Sequence, residues 1–462
     1  MIEGSTANQL PRTGQHLQGS GPAMATRAPG IHRRAGDLLA MGMTRLRRAG
    51  DLWYITAATV VNVANFAFFG LVGHLLHPSA YGAVAALLNV VSIAAIPLNA
   101  VQAAIVREVV LQAQGGVPPT VRRAGALFIG SGLCATVLVA AMSPLAARFF
   151  GLGTVLPVIL LALWLAPSVS SSLFDGVLIG TLRWRPIAVS LIAGAVVRVA
   201  FTALAGVLDP SIDGPVLATV LNALVTLGVV LWVFWRNSWP SGRPELVLPM
   251  RATTSTVLAL TGYSTLVAVD TLMARHIFPA QSGNYAAAVT IGRIALFMPM
   301  AVTVVVFPRF VSDQGRGARA RRLLGIGLAG VLGLGLVTTA VLVVARHIFV
   351  DVLFGSRYGG TAALVGLLSV EGTVLGAVAL LTYFHLARRS LFSAAPGVAT
   401  VAVVAVSLLV RPGPAPLARL MVGGSTAVLV VMIIPALTGH SEPKLRARRP
   451  HERSRPGGNP ER

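Results

Sequence analysis

The sequence predicts an all-α polytopic membrane protein, with about twelve transmembrane helices in two six-helix lobes that repeat one another in parallel. Three observations carry this. The 462 residues are 55% hydrophobic and only 11% charged, against roughly 25% charged residues in a soluble domain; the mean hydropathy is +0.76. The apolar residues fall into twelve runs, each close to the roughly 20 residues that cross a hydrocarbon core. The basic residues, 37 against 15 acids, gather in alternate gaps between those runs. A soluble all-helical protein is excluded, because almost no polar sequence remains to cover such a core. The net charge of +22 does not point to nucleic acid, since it sits at the edges of apolar runs, where it sets membrane topology.

In chain order, residues 1–51 form a basic tail rich in Gly, Pro and polar side chains, expected to be disordered. Its last part, with Leu38, Leu39, Met43 and Leu46 among arginines, is suited to lie along the membrane surface. No apolar stretch with a cleavage site follows, so a signal peptide is not expected. The first lobe, 52–235, holds runs at 52–75, 81–104, 124–147, 155–181, 186–208 and 216–235. An inter-lobe loop, 236–252, is expected on the cytoplasmic side. The second lobe, 253–438, holds runs at 253–275, 284–308, 323–345, 360–386, 391–410 and 417–438. A second basic tail, expected to be disordered, closes the chain at 439–462. With both termini cytoplasmic, 29 of the 37 basic residues fall in the tails and inner loops. Five lie outside (Arg148, Arg275, Arg346, Arg357 and Arg411) and three within spans (Arg198, Arg293 and Arg419). This bias is the positive-inside rule. The heavy use of Arg, Ala, Gly and Pro points to a bacterial cell membrane. The lone Cys134 permits no intrachain disulfide.

Six runs on each side of the central loop give both halves the same orientation, a known transporter plan. Rare residues recur at matched places: His74 and His276, Pro97 and Pro299, and Arg107 and Arg309, then the pairs Phe150–Gly151 and Phe354–Gly355. Pro97 and Pro299 are candidate hinges, since proline removes a backbone hydrogen bond and bends a span.

Around the seventh and eighth runs the chain reads VDTLMARHIFPAQSGNYAAAVTIGRIALFMPMAVTVVVFPRF. The first lobe echoes it with GHLLHPSAYGAVAALLNVVSIAAIPLNAVQAAIVRE, and FGSRYGGTAALVGLLSV precedes the tenth run. This resembles the polysaccharide (O-antigen, Wzx-like) flippase branch of the multidrug/oligosaccharidyl-lipid/polysaccharide (MOP) exporter superfamily, over about residues 52–440. The resemblance implies two lobes around a central cavity that opens alternately to either face, lined by the first, second, seventh and eighth helices. It implies a lipid-linked oligosaccharide, typically on an undecaprenyl diphosphate carrier, moved from the inner to the outer leaflet. The drug-exporting branch often has a cation-coupling acid in its first helix; here that helix has Asn62 and Asn65 and no acid.

Few charges fall within spans, and each costs roughly 2.5–3.5 kcal/mol there. Asp270 and Arg293 lie on consecutive helices at depths differing by about 6 Å, so they can pair. Arg293 and Arg198 offer forked donors suited to a diphosphate. Thr59, Asn62 and Asn65 share one face of the first helix, and Asn89, Ser92, Asn99 and Gln102 share one face of the second. The candidate substrate-binding residues are therefore Arg293, Asp270, Arg198, Asn62, Asn65 and Asn99. Glu371 and Asp175 are candidates for ion coupling. A plain salt bridge or interhelical hydrogen bond accounts for any of them equally at this stage.

No phosphate-binding G-x-x-x-x-G-K-[ST] loop occurs, so the energy is expected from an ion gradient, the membrane potential or substrate consumption. Neither metal nor cofactor is expected. The expected partners are a lipid-linked oligosaccharide, membrane lipids and polysaccharide-synthesis machinery, with no nucleic acid. Two other readings compete: a cation-coupled multidrug or small-solute exporter, and a membrane polymerase or ligase. The short outer loops, poor in acids and His, argue against an enzyme.

Overall fold

The computed structural model describes residues 49–114, 122–236, 250–300, 302, 303, 306, 310, 317–388 and 390–438. The expectations for the two tails, for most of the inter-lobe loop and for Arg309 lie outside these residues.

The first half contains α1 (Ala49–Leu75), α2 (Pro78–Gln114), α3 (Arg122–Ala141), α4 (Ser143–Phe149), α5 (Leu156–Leu163), α6 (Leu165–Gly180), α7 (Trp184–Leu208) and α8 (Asp213–Arg236). The second contains α9 (Met250–Ile277), α10 (Ser282–Phe297), α11 (Gly317–Val344), α12 (Arg346–Leu353), α13 (Ala362–Arg388), α14 (Ala395–Val410) and α15 (Pro414–Thr438). Short 3₁₀ turns at Ser356–Thr361 and Leu391–Ala394 lead into α13 and α14. Among the described residues, eleven segments are long and apolar enough to cross a membrane.

The expected span at 284–308 is the exception. Its helix α10 ends after 16 residues, at Met298–Pro299, and only Val302, Thr303, Val306 and Phe310 are described as helical beyond Met300. Pro299 lacks the N–H that would continue the ladder. Pro97, its counterpart by spacing, behaves otherwise, lying inside the unbroken 37-residue α2. That helix is about 55 Å long, well beyond a hydrocarbon core of about 30 Å. The run at 155–181 divides into α5 and α6 around Trp164.

Packing follows the two halves. In the first, α7 lies on α8, both α2 and α3 on α6, and α5 on α8. In the second, α10, α11 and α15 surround α13, while α9 lies on α14. The halves meet where α2 packs on α9 and α10. The largest apolar cluster sits at this junction and draws on both, with Phe68, Val72, Tyr81, Leu88, Met273, Tyr285, Phe354 and Tyr358. Outward faces stay apolar, as lipid contact requires: Leu127, Leu133 and Val137 on α3 and Val398, Val401 and Leu409 on α14 are all exposed.

The junction is tightest at the end carrying the α1–α2, α4–α5 and α9–α10 turns. Gly82 lies against Ser282 and Gly283, and Gly283 against the Pro78 carbonyl, so closely that neither glycine has room for a Cβ. The α4–α5 turn uses Gly151 at φ +57°, and the turn after α12 uses Gly355 at φ +79°. Both are in the left-handed region that glycine adopts without strain. The recurring Phe-Gly pair thus has a local cause: it ends a short helix and reverses the chain.

Candidate functional site

Between the halves lies a cavity of about 680 Å³, walled by α1, α2, α7, α8, α9 and α10. Its polar lining includes Asn62, Asn65, Asn89, Ser92, Arg198, Asn222, Thr290 and Arg293, set among Phe66, Phe69 and Phe297. A smaller chamber of about 210 Å³ adjoins it within the first half and shares Asn65, Trp164, Arg198 and Asn222 with it. Asn99, Gln102 and Asp175 line that chamber. The polar face of α2 is thereby divided on either side of Pro97: Asn89 and Ser92 face the main cavity, Asn99 and Gln102 the side chamber.

Arg293 projects from α10 into the cavity. One terminal nitrogen donates to Asn89 Oδ1 at 3.0 Å and the other to the Val267 carbonyl at 2.9 Å. The second also stands 3.8 Å from Asp270 Oδ1. The pairing expected from depth is present, but it is long and is one contact of three. Asp270 itself is buried and accepts from the Thr271 hydroxyl at 3.1 Å and from the Thr271 backbone N–H. Arg293 keeps 21% of its side chain exposed and Asp270 only 2%, so the cation faces the cavity and the acid stands behind it. Through Asn89, Arg293 also ties the second half to the first.

Arg198, on α7, donates to Asn65 Oδ1 on α1 at 2.9 Å. Its guanidinium lies 3.7 Å from the Phe68 ring centroid, a cation–π arrangement, and its buried Nε has no hydrogen-bond partner. Asn62 and Asn99 are exposed to the two hollows. Asp175 leaves Oδ1 buried without a hydrogen bond, and Glu371 leaves Oε1 in the same condition. Glu371 lines neither hollow; it is buried on α13, behind α10, where it shares the field of Asp270 and Arg293. Pro299, the second candidate hinge, is buried at the break after α10, close to Gly376 of α13. Among the described residues, no cluster of three or more His, Cys, Asp or Glu could hold a metal ion.

One charged residue carries more than its sequence position indicated. Arg275, expected at the outer end of the seventh run, is in the last turn of α9 and is buried. It donates to the carbonyls of Phe150 at 2.8 Å, Ser79 at 3.0 Å and Gly151 at 3.1 Å in the first half, and to Pro279 at 3.3 Å in its own. Phe150 and Gly151 directly follow the C-terminal end of α4, where a helix leaves carbonyls unfilled, while Ser79 is in the first turn of α2 and Pro279 in the α9–α10 turn. Beside it His276 Nδ1 is 2.8 Å from the Phe149 carbonyl, and the two rings stack at 4.2 Å. Arg357 donates to the His74 carbonyl at 2.8 Å across the same junction. Together these contacts close one end of the cavity. The signal available in sequence was the matched His74/His276 and Phe-Gly pairs, all of which lie in this seal.

A multi-pass membrane protein with two helical lobes around a polar cavity has the architecture of a transporter. A profile of the family described as "Polysaccharide biosynthesis protein" matches residues 71–363, more than half of the chain, and the chain belongs to that family. Comparison with curated protein sequences gives no match. Among solved structures, an inward-facing multidrug resistance MATE family transporter of the MOP superfamily is similar with a TM-score of 0.60 at 14% identity, over 83% of this chain and 96% of that one. The lipid II flippase MurJ, in an inward closed conformation, is similar with a TM-score of 0.61 at 10% identity, over 83% and 87%. A MOP superfamily transporter from Pyrococcus furiosus gives 0.54 at 15% identity, over 84% and 94%. At such identities the likeness concerns the fold alone.

Proposed function

We propose that the protein flips a lipid-linked oligosaccharide, a polysaccharide precursor, from the inner to the outer leaflet of a bacterial cell membrane by rocking its two lobes about the central cavity. The observation that carries this reading is the pair of arginines, Arg293 and Arg198, facing one polar cavity in a member of a polysaccharide biosynthesis family. A diphosphate on the carrier lipid would exchange Asn89 and Asn65 for stronger, charge-assisted hydrogen bonds at the two guanidinium groups. The sealed end is read as the outer face, since Arg107, Arg122, Arg183, Arg185, Arg236 and Arg388 lie toward the opposite ends of their helices. The cavity described here is then the inward-facing state. Asp270 positions Arg293 when the site is empty. Glu371 suits ion coupling: two acids share one arginine, so a proton or small cation is needed to balance the second. Pro97 and Pro299 are the flexible points about which α2 and α10 change.

The same fold also serves exporters of small organic solutes, and MATE likeness favours that as the second reading. The family assignment favours the saccharide, and neither reading makes the protein an enzyme. The test is to extract lipid-linked saccharides from cells lacking the protein and to ask which leaflet holds them. Accumulation in the inner leaflet, reversed by the intact gene and not by Arg293→Ala, supports the flippase. Unchanged lipids with raised sensitivity to toxic organic cations would refute it in favour of the exporter.

A further inference from the structure

The side chamber in the first half differs from the main cavity in one respect: its wall carries an acid, Asp175, and the main cavity's lining has none. Its volume of about 210 Å³ is many times what one water or a bare ion requires and has room for a ring. Asn99, Gln102 and Asn222 bring amides to it. Each amide both donates and accepts, as vicinal hydroxyls require. Asp175 presents a buried carboxylate oxygen with no hydrogen bond, and Ser171 Oγ, also on the wall, is equally unsatisfied. Buried polar atoms of this kind are costly unless something pairs with them. Trp164 lines both hollows. It stands at the break between α5 and α6, where it caps one helix and begins the next. An indole at such a mouth offers an apolar face to the C–H face of a pyranose while the amides take the hydroxyl rim. This mixture of one aromatic wall and a few convergent polar groups is the usual composition of a small-molecule site.

The charge balance narrows the ligand. The chamber's one cation, Arg198, is already engaged by Asn65 and the Phe68 ring. An acidic sugar would bring a second carboxylate against Asp175. We propose that this chamber is a saccharide subsite: it receives one neutral, hydroxyl-rich sugar unit, stacked on Trp164 and held through Asp175, Asn99, Gln102 and Asn222, while the anionic part of the same molecule stays in the main cavity at Arg293. The proposal rests on the saccharide reading above and adds to it where the sugar sits and which sugars are refused.

The test uses the full chain in lipid nanodiscs free of glycolipid and of glycoside detergent. The probes are methyl glycosides of glucose, galactose, mannose and N-acetylglucosamine, with methyl glucuronide as the acidic control, read by saturation-transfer NMR. At least one neutral glycoside should bind, with saturation strongest on the ring protons of one face, and methyl glucuronide should not. Trp164→Ala should weaken that binding at least about tenfold, and Asp175→Asn should admit the glucuronide. Asn99→Phe fills the chamber from an exposed position and should abolish binding in a protein whose melting temperature is unchanged. That variant separates a lost site from a lost fold. Absence of binding by every neutral glycoside, or binding indifferent to all three substitutions, overturns the proposal and leaves a hydrated hollow. Sugar binding that survives while cells lacking the protein show no trapped lipid-linked saccharide would sink the flippase reading and spare the subsite.

Discussion

Arg275 offers a quantitative test of the seal. Three of its acceptors, the carbonyls of Phe150, Gly151 and Ser79, belong to the opposite half. They must be given up if that end of the cavity is to open. Hydrogen bonds to a charged group contribute about 1.5–3 kcal/mol each, and neutral ones about 1. These figures are already net of exchange with water, so at the lower charged value three bonds favour the sealed state by about 4.5 kcal/mol, roughly two-thousandfold in the closed-to-open ratio. Arg275→Ala should shift the equilibrium by about that factor. Spin labels at His77 and Ala280, both exposed at the sealed end, report it in a Cys134→Ser background. Double electron–electron resonance should show one short distance in the parent protein and a substantial longer population in Arg275→Ala. Arg275→Lys keeps the charge but not the fork and should fall between them. If the Arg275→Ala distances match the parent's in a protein that is still folded, the seal is held by the apolar junction alone and the reasoning fails.

Other expectations follow from the same geometry. Arg293→Ala should abolish transport and Arg293→Lys restore part of it; in Arg293→Ala with Asp270→Asn, normal protein levels without transport mark a binding role, whereas recovered transport marks a plain structural pair. Gly151→Ala should cost about 1–2 kcal/mol through its left-handed backbone alone, since no atom stands within 4 Å of the added Cβ; Gly151→Asn should cost less, and thermal unfolding in detergent compares them. Cysteines at Asp209 and Ala280 should react with an impermeant maleimide on intact cells, and one at Arg185 only after permeabilisation; the reverse pattern inverts the assigned orientation.

The span pattern was legible because hydrocarbon imposes it on every helix separately. The nearness of Arg293 to Asp270 was legible for a related reason: both depths can be counted from one turn. Partnerships between the halves were not. Asn89 was visible as part of a polar face, yet nothing local says that it meets Arg293 more than 200 positions later. Arg275 was placed at the outer end of its span, where hydropathy expects an arginine to face water. Its burial depends on carbonyls from two distant turns. Trp164 gave no sign of its place, since a tryptophan within an apolar run reads as packing. Glu371 was found as an intramembrane acid, but its position behind α10, away from both hollows, required the packing of α10 on α13.

The two Phe-Gly turns do not rest on their own halves. Phe149, Phe150 and Gly151 are gripped by Arg275 and His276, while Phe354 and Gly355 press on Gly73 and His74. Each lobe therefore lends its reversal to the other, in a reciprocal exchange. Neither hand can let go alone without leaving its partner's turn unsupported, so release at this end is expected to be all-or-none rather than graded. A lobe produced by itself would present a bare turn and an empty grip. The two should accordingly complement when co-expressed and fail singly.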